Sequence, residues 1–468
     1  MKFIHKLLNK VFKIVRDIKD IFFVYLGKFI LGFRQKNMVI IGVTGTKGKT
    51  TVVSLMSHIL HNAGVPFGSF STIEQNINGK IIRNDSKLTM PGRAAINLFL
   101  KKAYNKGARV GLIEVTSVGL KQHRGDFIEW DAAVLTNLQP EHLEIHGGFE
   151  NYKMCKGLLF KMLKKYPVKY IQNKKYLKTI IVNFDDPNAD YFLQFKADKK
   201  VVISLNPEPD IAKIKLMDLE LLKPTWYRAD NLGIDIEIDK RVYHSNLLGD
   251  YNVYNVLFCI ALSRYLNIND DIVFEALQTY TGTPGRMQFI KTKENIAVVI
   301  DYAHTPDSLE ALYTNLRNLG YNNIIGVLGA TGAMQSQINT LGIVDTAKGG
   351  TRDEWKRPVM GQIVEKYCYK IILTNEDPYD EDPVKIIEEI KAGIKDQNKV
   401  EVVVDRQLAI RKAIDLAKSG DIIVITGKGC EKTMMVKGGA RGSKSIPWTG
   451  DYELSKIYLK DLGKEILF

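Results

Sequence analysis

The chain of 468 residues can hold two or three domains with full-sized cores, and 45% hydrophobic with 25% charged residues is the composition of a soluble globular protein, not of a disordered or fibrous one. Its four cysteines, Cys155, Cys259, Cys368 and Cys430, form no C-x-x-C pair, which argues against a zinc ribbon or a disulfide framework and fits a reducing cytoplasm. A net charge of +14 favours anionic partners (nucleotides, nucleic acid or a membrane surface) or reflects a lysine-rich proteome.

Residues 1–36 are basic and helical in pattern. Lys2, Lys6, Lys10 and Lys13 recur three or four apart, and Phe3, Leu7, Val11 and Ile14 keep the same spacing one position later. Phe22 to Phe33 is apolar but interrupted by Lys28, and is short for a membrane span. No small-residue cleavage site of a signal peptide is evident. Two readings stay open: an amphipathic helix packed on the following domain, or a helix lying on an anionic membrane surface.

Met38 to Val43 is a short apolar run rich in β-branched residues and reads as a buried strand. Gly42, Gly45 and Gly48 then allow a tight turn, and Val52 to Leu60 has the apolar spacing of a helix. Strand, glycine turn, Lys-Thr and helix together make a phosphate cradle. Gly45, Thr46, Lys47, Gly48, Lys49, Thr50 and Thr51 are its candidate nucleotide-binding residues, with Lys49 as the cation and Thr50 as a Mg²⁺ ligand. Val43 stands where the first glycine of G-x-x-x-x-G-K-[ST] would be.

Onward to about Thr283, strand-like runs (Val110 to Val115, Ala132 to Thr136, Thr179 to Asn183, Val201 to Leu205) alternate with helical ones, which predicts a mostly parallel α/β sheet. Asp230 to Val242 reads as a hairpin at the sheet's edge. The turn cluster Thr283-Pro-Gly-Arg286 marks a boundary. The pattern then restarts at Ile296 to Asp301, Asn323 to Leu328, Lys370 to Thr374, Val400 to Val404 and Asp421 to Thr426, a second and smaller α/β domain. Ala330 to Arg357 and Val436 to Thr449 read as loops. The expected domains are 1–36, 37–283 and 284–468.

Glu114 lies at the C-terminal end of its strand, where open α/β sheets bind ligands and a carboxylate can hold Mg²⁺. Downstream of another buried strand, His142 and His146 stand four apart beside Glu141 and Glu144, without the H-E-x-x-H of zinc hydrolases. Lys156 sits on an amphipathic helix. Read alone, each of these could be an ordinary packed or solvated side chain.

The variant T-G-T-K-G-K-T-T at 44–51 resembles the Mur ligases, the ATP-dependent amino-acid ligases of cell-wall synthesis. Further segments resemble that family in its own order. Glu114-Val-Thr-Ser-Val-Gly-Leu-Lys-Gln-His-Arg124 implies that Ser117, Gln122 and Arg124 face a UDP-muramoyl substrate, with Thr89 of Thr89-Met-Pro91 joining them. The segment Thr136 to His146 implies that His142 binds a second Mg²⁺. Tyr152-Lys-Met-Cys-Lys156-Gly-Leu-Leu-Phe160 implies a carbamoylated Lys156 that helps hold that metal. Asn252 and Asn255 would read adenine. Arg286 would reach the ATP phosphates, and Asp301 and His304 of Asp301-Tyr-Ala-His-Thr-Pro306 would close over the nucleotide. Arg352, Asp377, Tyr379, Gly427 and Glu431 would surround the incoming amino acid.

Asp301-to-Pro306 together with Gly427-Lys-Gly-Cys-Glu431 points to the UDP-N-acetylmuramoyl-tripeptide synthetase branch. The resemblance implies a central ATPase domain and a Rossmann-like C-terminal domain. It implies ATP, Mg²⁺ at two sites, and small-molecule substrates (ATP, an amino acid and a UDP-muramoyl-peptide) with no nucleic acid. The catalytic set would be Lys49, His142, Lys156, Arg286 and Asp301, in a cytoplasmic monomer. Residues 1–36 stand where this branch carries a UDP-binding first domain. Glu376-Asp-Pro-Tyr379 replaces the D-N-P-R whose arginine clamps a distal carboxylate, and Glu376, Asp380, Glu381 and Asp382 crowd the same stretch. That exchange favours L-lysine or L-ornithine over meso-diaminopimelate. Two rivals are a Mur-like ligase with another acceptor, such as a folate-adding enzyme, and a non-catalytic nucleotide-binding scaffold.

Overall fold

The computed structural model describes residues 35–84, 89–92, 95–141, 146–230, 232–317, 319–332, 354–439 and 442–467. The segment 1–34, His142, Glu144, Arg352 and most of 330–357 lie outside them. The chain divides into two compact units at Thr281/Gly282, beside the Thr283–Arg286 turn.

In the first unit the strands run β1 Val39–Thr44, β2 Phe67–Phe70, β3 Glu74–Ile77, β4 Lys80–Arg83, β5 Val110–Glu114, β6 Ala132–Leu135, β7 Lys169–Ile171, β8 Lys174–Tyr176, β9 Thr179–Asn183, β10 Lys199–Ile203 and β11 Glu220–Leu222. Nine form one sheet in the order β11-β10-β9-β6-β1-β5-β2-β3-β4. From β11 to β2 all pairs are parallel, and β3 and β4 close the edge antiparallel. Strand β1 explains the layering. Its Val39, Ile41 and Val43 pack with Val52, Met56 and Leu60 of helix Lys49–Asn62, while Ile40 packs with Trp130 and Leu159 on the other face. A parallel strand buried on both faces needs such a continuous apolar run. Because β1 lies between β5 and β6, the loops that follow these three strands sit side by side at the sheet's C-terminal edge.

One expectation is corrected in this unit. Asp230 to Val242 does not form a hairpin on the edge of the main sheet. It belongs to a separate antiparallel sheet of β12 Trp226–Asp230, β13 Gly233–Ile238 and β14 Arg241–Ser245. Ile234, Ile236 and Tyr243 on its inner face pack with Phe258 and Val273 of the helices, so this face is satisfied without joining the main sheet.

In the second unit the strands are β15 Gln288–Thr292, β16 Ala297–Asp301, β17 Ile324–Leu328, β18 Lys370–Leu373, β19 Val400–Val402, β20 Ile422–Thr426, β21 Thr433–Gly439, β22 Gly442–Pro447 and β23 Ile466–Leu467. Seven form a sheet ordered β19-β18-β17-β20-β16-β15-β23, parallel from β19 to β16. The stretch Val436 to Thr449, expected as a loop, instead lies largely in the β21–β22 hairpin. Met434, Val436, Ile446 and Trp448 settle on the core, although the glycines and lysines between them mask the alternation.

A fully buried ion pair ties this unit together. Arg406 donates from Nε to Asp451 Oδ1 (3.0 Å), and from Nη2 to Asp451 Oδ2 (2.8 Å) and the Thr426 carbonyl (2.7 Å). Arg406→Ala strands a buried carboxylate, so urea unfolding of this unit should show a loss of about 3–5 kcal/mol. The double change Arg406→Met with Asp451→Leu should cost less, because neither charge is then left unpaired.

Candidate active site

The turn after β1 is shaped by two close approaches. Gly45 has φ +148°, and a Cβ there would come within 1.9 Å of Thr136 Oγ1. Gly48, at φ +84°, caps helix Lys49–Asn62, and a Cβ would come within 2.5 Å of Asn255 Oδ1. Side chains larger than glycine are therefore excluded where backbone N–H groups surround an anion. Lys49 Nζ donates to the carbonyls of Gly45 (2.9 Å) and Thr46 (2.7 Å), which curls it back over the loop. Asn137 braces the outer side by accepting from Lys47 N (2.9 Å) and donating to the Lys47 carbonyl (3.1 Å). Its position directly after β6, beside the cradle, was the available signal for this role.

Glu114, at the end of β5, is buried and meets the first turn of the helix. Thr50 Oγ1 lies 3.2 and 3.1 Å from its two oxygens, and Thr72 donates to it from both N (2.8 Å) and Oγ1 (3.0 Å). Thr72 also meets Thr89 at 2.8 Å. Thr72 carries no motif, and its place after β2 is the only hint the sequence offers. A threonine hydroxyl and a carboxylate are hard oxygen donors suited to Mg²⁺. Among the described residues no three His, Cys, Asp or Glu side chains cluster as a metal site, and His142 lies outside those residues.

Lys156, on helix Phe149–Met162, is also buried. Its Nζ donates to the Gly45 carbonyl at 2.7 Å and lies 4.5 Å from the centre of the Tyr152 ring. Burial holds its amine well below the ordinary lysine range, and the Lys49 ammonium pushes it further down against the opposing pull of Glu141, Cys155 and Glu114. The neutral form is the one that reacts as a nucleophile. Tyr152 links this lysine to the loop through its hydroxyl, 3.1 Å from Thr46 Oγ1. Behind it, His146 Nε2 is 3.1 Å from Ser117 Oγ at the start of helix Ser117–Lys121. Gln122 caps that helix, and Arg124 donates to the Met90 carbonyl next to Thr89. Thr89, Ser117 and Arg124 thus gather on one side of the cradle.

The candidate adenine readers form a pair. Asn255 Nδ2 donates to Asn252 Oδ1 at 2.7 Å, and Asn252 Nδ2 to the Leu248 carbonyl at 2.7 Å, both buried on helix Tyr251–Tyr265 and joined to the cradle through Gly48.

In the second unit the Arg286 guanidinium stacks 4.7 Å from the Tyr302 ring centre. Asp301 accepts from the backbone of Met287 (2.7 Å) and Ala303 (2.8 Å), and His304 Nδ1 lies 2.7 Å from the Tyr302 carbonyl. Tyr302 donates to Glu431 (3.2 Å). Lys428, which the sequence offered only as part of a motif, joins Asp377 (2.8 Å) and Glu431 (2.6 Å). Gly427, at φ +100°, lies where a Cβ would come within 2.2 Å of Glu376 Oε2. Of the acids that the sequence places beside Tyr379, three are engaged within the fold. Asp377 is bound by Lys428, Glu381 by Arg357 (2.9 Å), and Asp382 caps helix Pro383–Lys391. Burial raises the Glu376 carboxyl above its ordinary value. Tyr379 is buried at φ +51°, its amide donating to the Met435 carbonyl (3.2 Å).

The Mur ligase middle domain matches residues 43–263 and the Mur ligase glutamate ligase domain residues 285–429. A protein of Aquifex aeolicus (strain VF5) named UDP-N-acetylmuramoyl-L-alanyl-D-glutamate--2,6-diaminopimelate ligase is 34% identical over 407 residues, 87% of this chain and 76% of its own. A Treponema denticola protein named UDP-N-acetylmuramyl-tripeptide synthetase is 32% identical, covering 91% of this chain and 77% of its own. A solved diaminopimelate ligase structure superposes with a TM-score of 0.59 at 26% identity, covering 91% of this chain and 79% of its own. Folylpolyglutamate synthase of Mycobacterium tuberculosis reaches the same TM-score at 15% identity, over 86% of this chain and 91% of its own, a likeness of fold alone. With the phosphate cradle, the Thr50–Glu114 pair and both domain matches in hand, the chain belongs to the Mur ligase family of ATP-dependent amide ligases.

Proposed function

We propose that this chain adds an amino acid to the carboxylate of a UDP-N-acetylmuramoyl-peptide through an acyl phosphate, within peptidoglycan precursor synthesis in the cytoplasm. The observation that carries the reading is the cradle, with Lys49 folded over Gly45 and Thr46 and Thr50 against Glu114. The acceptor carboxylate attacks the γ-phosphorus of ATP, ADP leaves, and the amine of the amino acid then displaces phosphate from the acyl carbon. This chemistry needs positioning and charge neutralisation more than covalent help. Lys49 meets the charge that grows on the transferred phosphoryl group, and Asn252 with Asn255 orients the base. Thr50 would hold one Mg²⁺, and Glu114, His142 and carbamoylated Lys156 a second, neutralising phosphate charge. Thr89, Ser117, Gln122 and Arg124 position the acceptor. Arg286, Asp301 and His304 serve the nucleotide. Arg352, Gly427 and Glu431 serve the amino acid, and the working form is a monomer whose residues 1–36 contact a membrane. Phosphate release that requires both an amino acid and UDP-N-acetylmuramoyl-dipeptide tests this, and release with neither dependence refutes it.

The amino acid follows from the cations of the second unit. Around Asp377 the cations Lys428, Arg357 and Arg406 are each paired with carboxylates, and Tyr379 offers none. No cation among these is left to clamp a distal carboxylate, so rejection of diaminopimelate rests on a missing partner and not on repulsion. L-lysine or L-ornithine should therefore show kcat/KM above that of meso-diaminopimelate by about tenfold or more. Better use of diaminopimelate would refute the reading of Tyr379.

A further inference from the structure

Asp186 is a buried carboxylate that the reaction above does not use. It stands in Asn183-Phe-Asp-Asp-Pro187, where the chain leaves β9. Strand β9 pairs with β6, and the loop that follows β6 runs along the phosphate cradle.

That loop grips the cradle backbone. The Asn137 carbonyl accepts from Thr46 N (2.9 Å), and its side chain accepts from Lys47 N (2.9 Å). Thr136 Oγ1 donates to the Lys47 carbonyl (2.6 Å), and Gln139 N to Thr46 Oγ1 (2.9 Å). The course of the chain at Thr46 and Lys47 therefore depends on residues 136–139 as well as on its own glycines. Leu138, between these contacts, sends its N–H elsewhere, to Asp186 Oδ2.

Asp186 is itself held in place. Its Oδ1 accepts from Asn188 N (2.8 Å), which closes a local turn, and its carbonyl accepts from Ala189 N (2.9 Å). The neighbouring Asp185 anchors the same loop outward. It accepts from Ser204 Oγ (2.6 Å), Leu205 N (2.7 Å) and Tyr254 Oη (2.7 Å), the last on helix Tyr251–Tyr265. Hydrogen bonds to a carboxylate are stronger than those to a neutral acceptor, and at 8% exposure water competes little for Asp186.

We propose that Asp186 is a positioning residue for ATP. Through Leu138 it fixes residues 136–139, and through them the Thr46 carbonyl on which Lys49 Nζ rests at 2.7 Å. Released from Asp186, the loop after β6 keeps its bonds to the cradle and shifts Thr46 with it, and Lys49 follows. A cation that meets a phosphoryl group loses much of its effect when displaced by about 1 Å. The inference rests on the reading of the cradle as the ATP site and is independent of the amino acid and the acceptor.

Calorimetric titration of the full chain with a non-hydrolysable ATP analogue and Mg²⁺ tests it, at a temperature where each variant is folded. Asp186→Ser keeps the turn bond to Asn188 N, as serine turns do, but ends one atom short of Leu138. Its affinity for the analogue should fall by about tenfold. Asp186→Asn, whose amide oxygen still accepts from Leu138 N, should recover most of that loss, which a general loosening of the fold would not predict. Asn137→Ala should weaken binding as well. Combined with Asp186→Ser it should cost clearly less than the product of the two single losses, because both act through one segment. A parent that fails to bind the analogue would overturn the ATP reading and the inference together. Parent-like affinity in Asp186→Ser, an asparagine variant as weak as the serine one, or fully multiplicative losses in the double variant would overturn the inference alone.

Discussion

Lys49→Ala is expected to lower kcat by roughly a hundred- to a thousandfold, with the fold intact. The side chain is held over the loop by two carbonyls, Gly45 and Thr46, so its charge is fixed in place before any phosphate arrives. A preorganised cation stabilises the developing phosphoryl charge without reorganising at the moment of reaction, which is worth about 3–4 kcal/mol in comparable sites. Lys49→Arg tests position against charge. The guanidinium keeps the charge, but its planar fork cannot occupy the pocket between the two carbonyls as a compact ammonium does, so recovery should be partial. Single-turnover phosphate release reads the chemical step. A loss under about tenfold for the alanine variant would show that another group meets the phosphates.

The cradle was legible because strand, glycine turn and Lys-Thr are local: they lie within one short stretch, and each has a steric or electrostatic reason to be there. The parallel sheet was legible for the same reason, since strands buried on both faces read as unbroken apolar runs, as β9 and β20 do. What the sequence hid depends on distant partners. The roles of Thr72 and Asn137 come only from the adjacency of β2, β5, β1 and β6 in space. Lys428 explains why Asp377 does not act as a free charge, and it lies 51 positions away in the chain. Strands β21 and β22 were missed because glycine and lysine interrupt the alternation that Met434, Val436 and Ile446 maintain.

Lys156→Ala should also lose activity by about a hundredfold or more, and short carboxylic acids such as acetate should restore part of it. The Lys156 and Lys49 ammonium groups both reach the Gly45 carbonyl, so two positive charges would crowd one oxygen. Burial and that neighbour together favour the neutral amine at Lys156. A neutral amine can attack CO₂: the nitrogen–carbon bond forms, a proton leaves to solvent, and an anionic carbamate remains. The product reverses the local electrostatics, because at an effective dielectric near 20 opposite unit charges about 4 Å apart attract by roughly 4 kcal/mol where like charges would repel. The carbamate would then stand beside Lys49 and the Thr46–Tyr152 contact as an anion able to share a Mg²⁺. Two readouts separate this from a packing role. Enzyme equilibrated with ¹³C-labelled CO₂ should give a carbamate carbon resonance that Lys156→Ala lacks. Acetate should rescue Lys156→Ala but not Lys49→Ala, since only the former has lost an anion. A parent spectrum without that resonance, together with a Lys156→Ala enzyme that acetate leaves inactive, would mean that Lys156 acts as a plain amine that shapes the Gly45 turn.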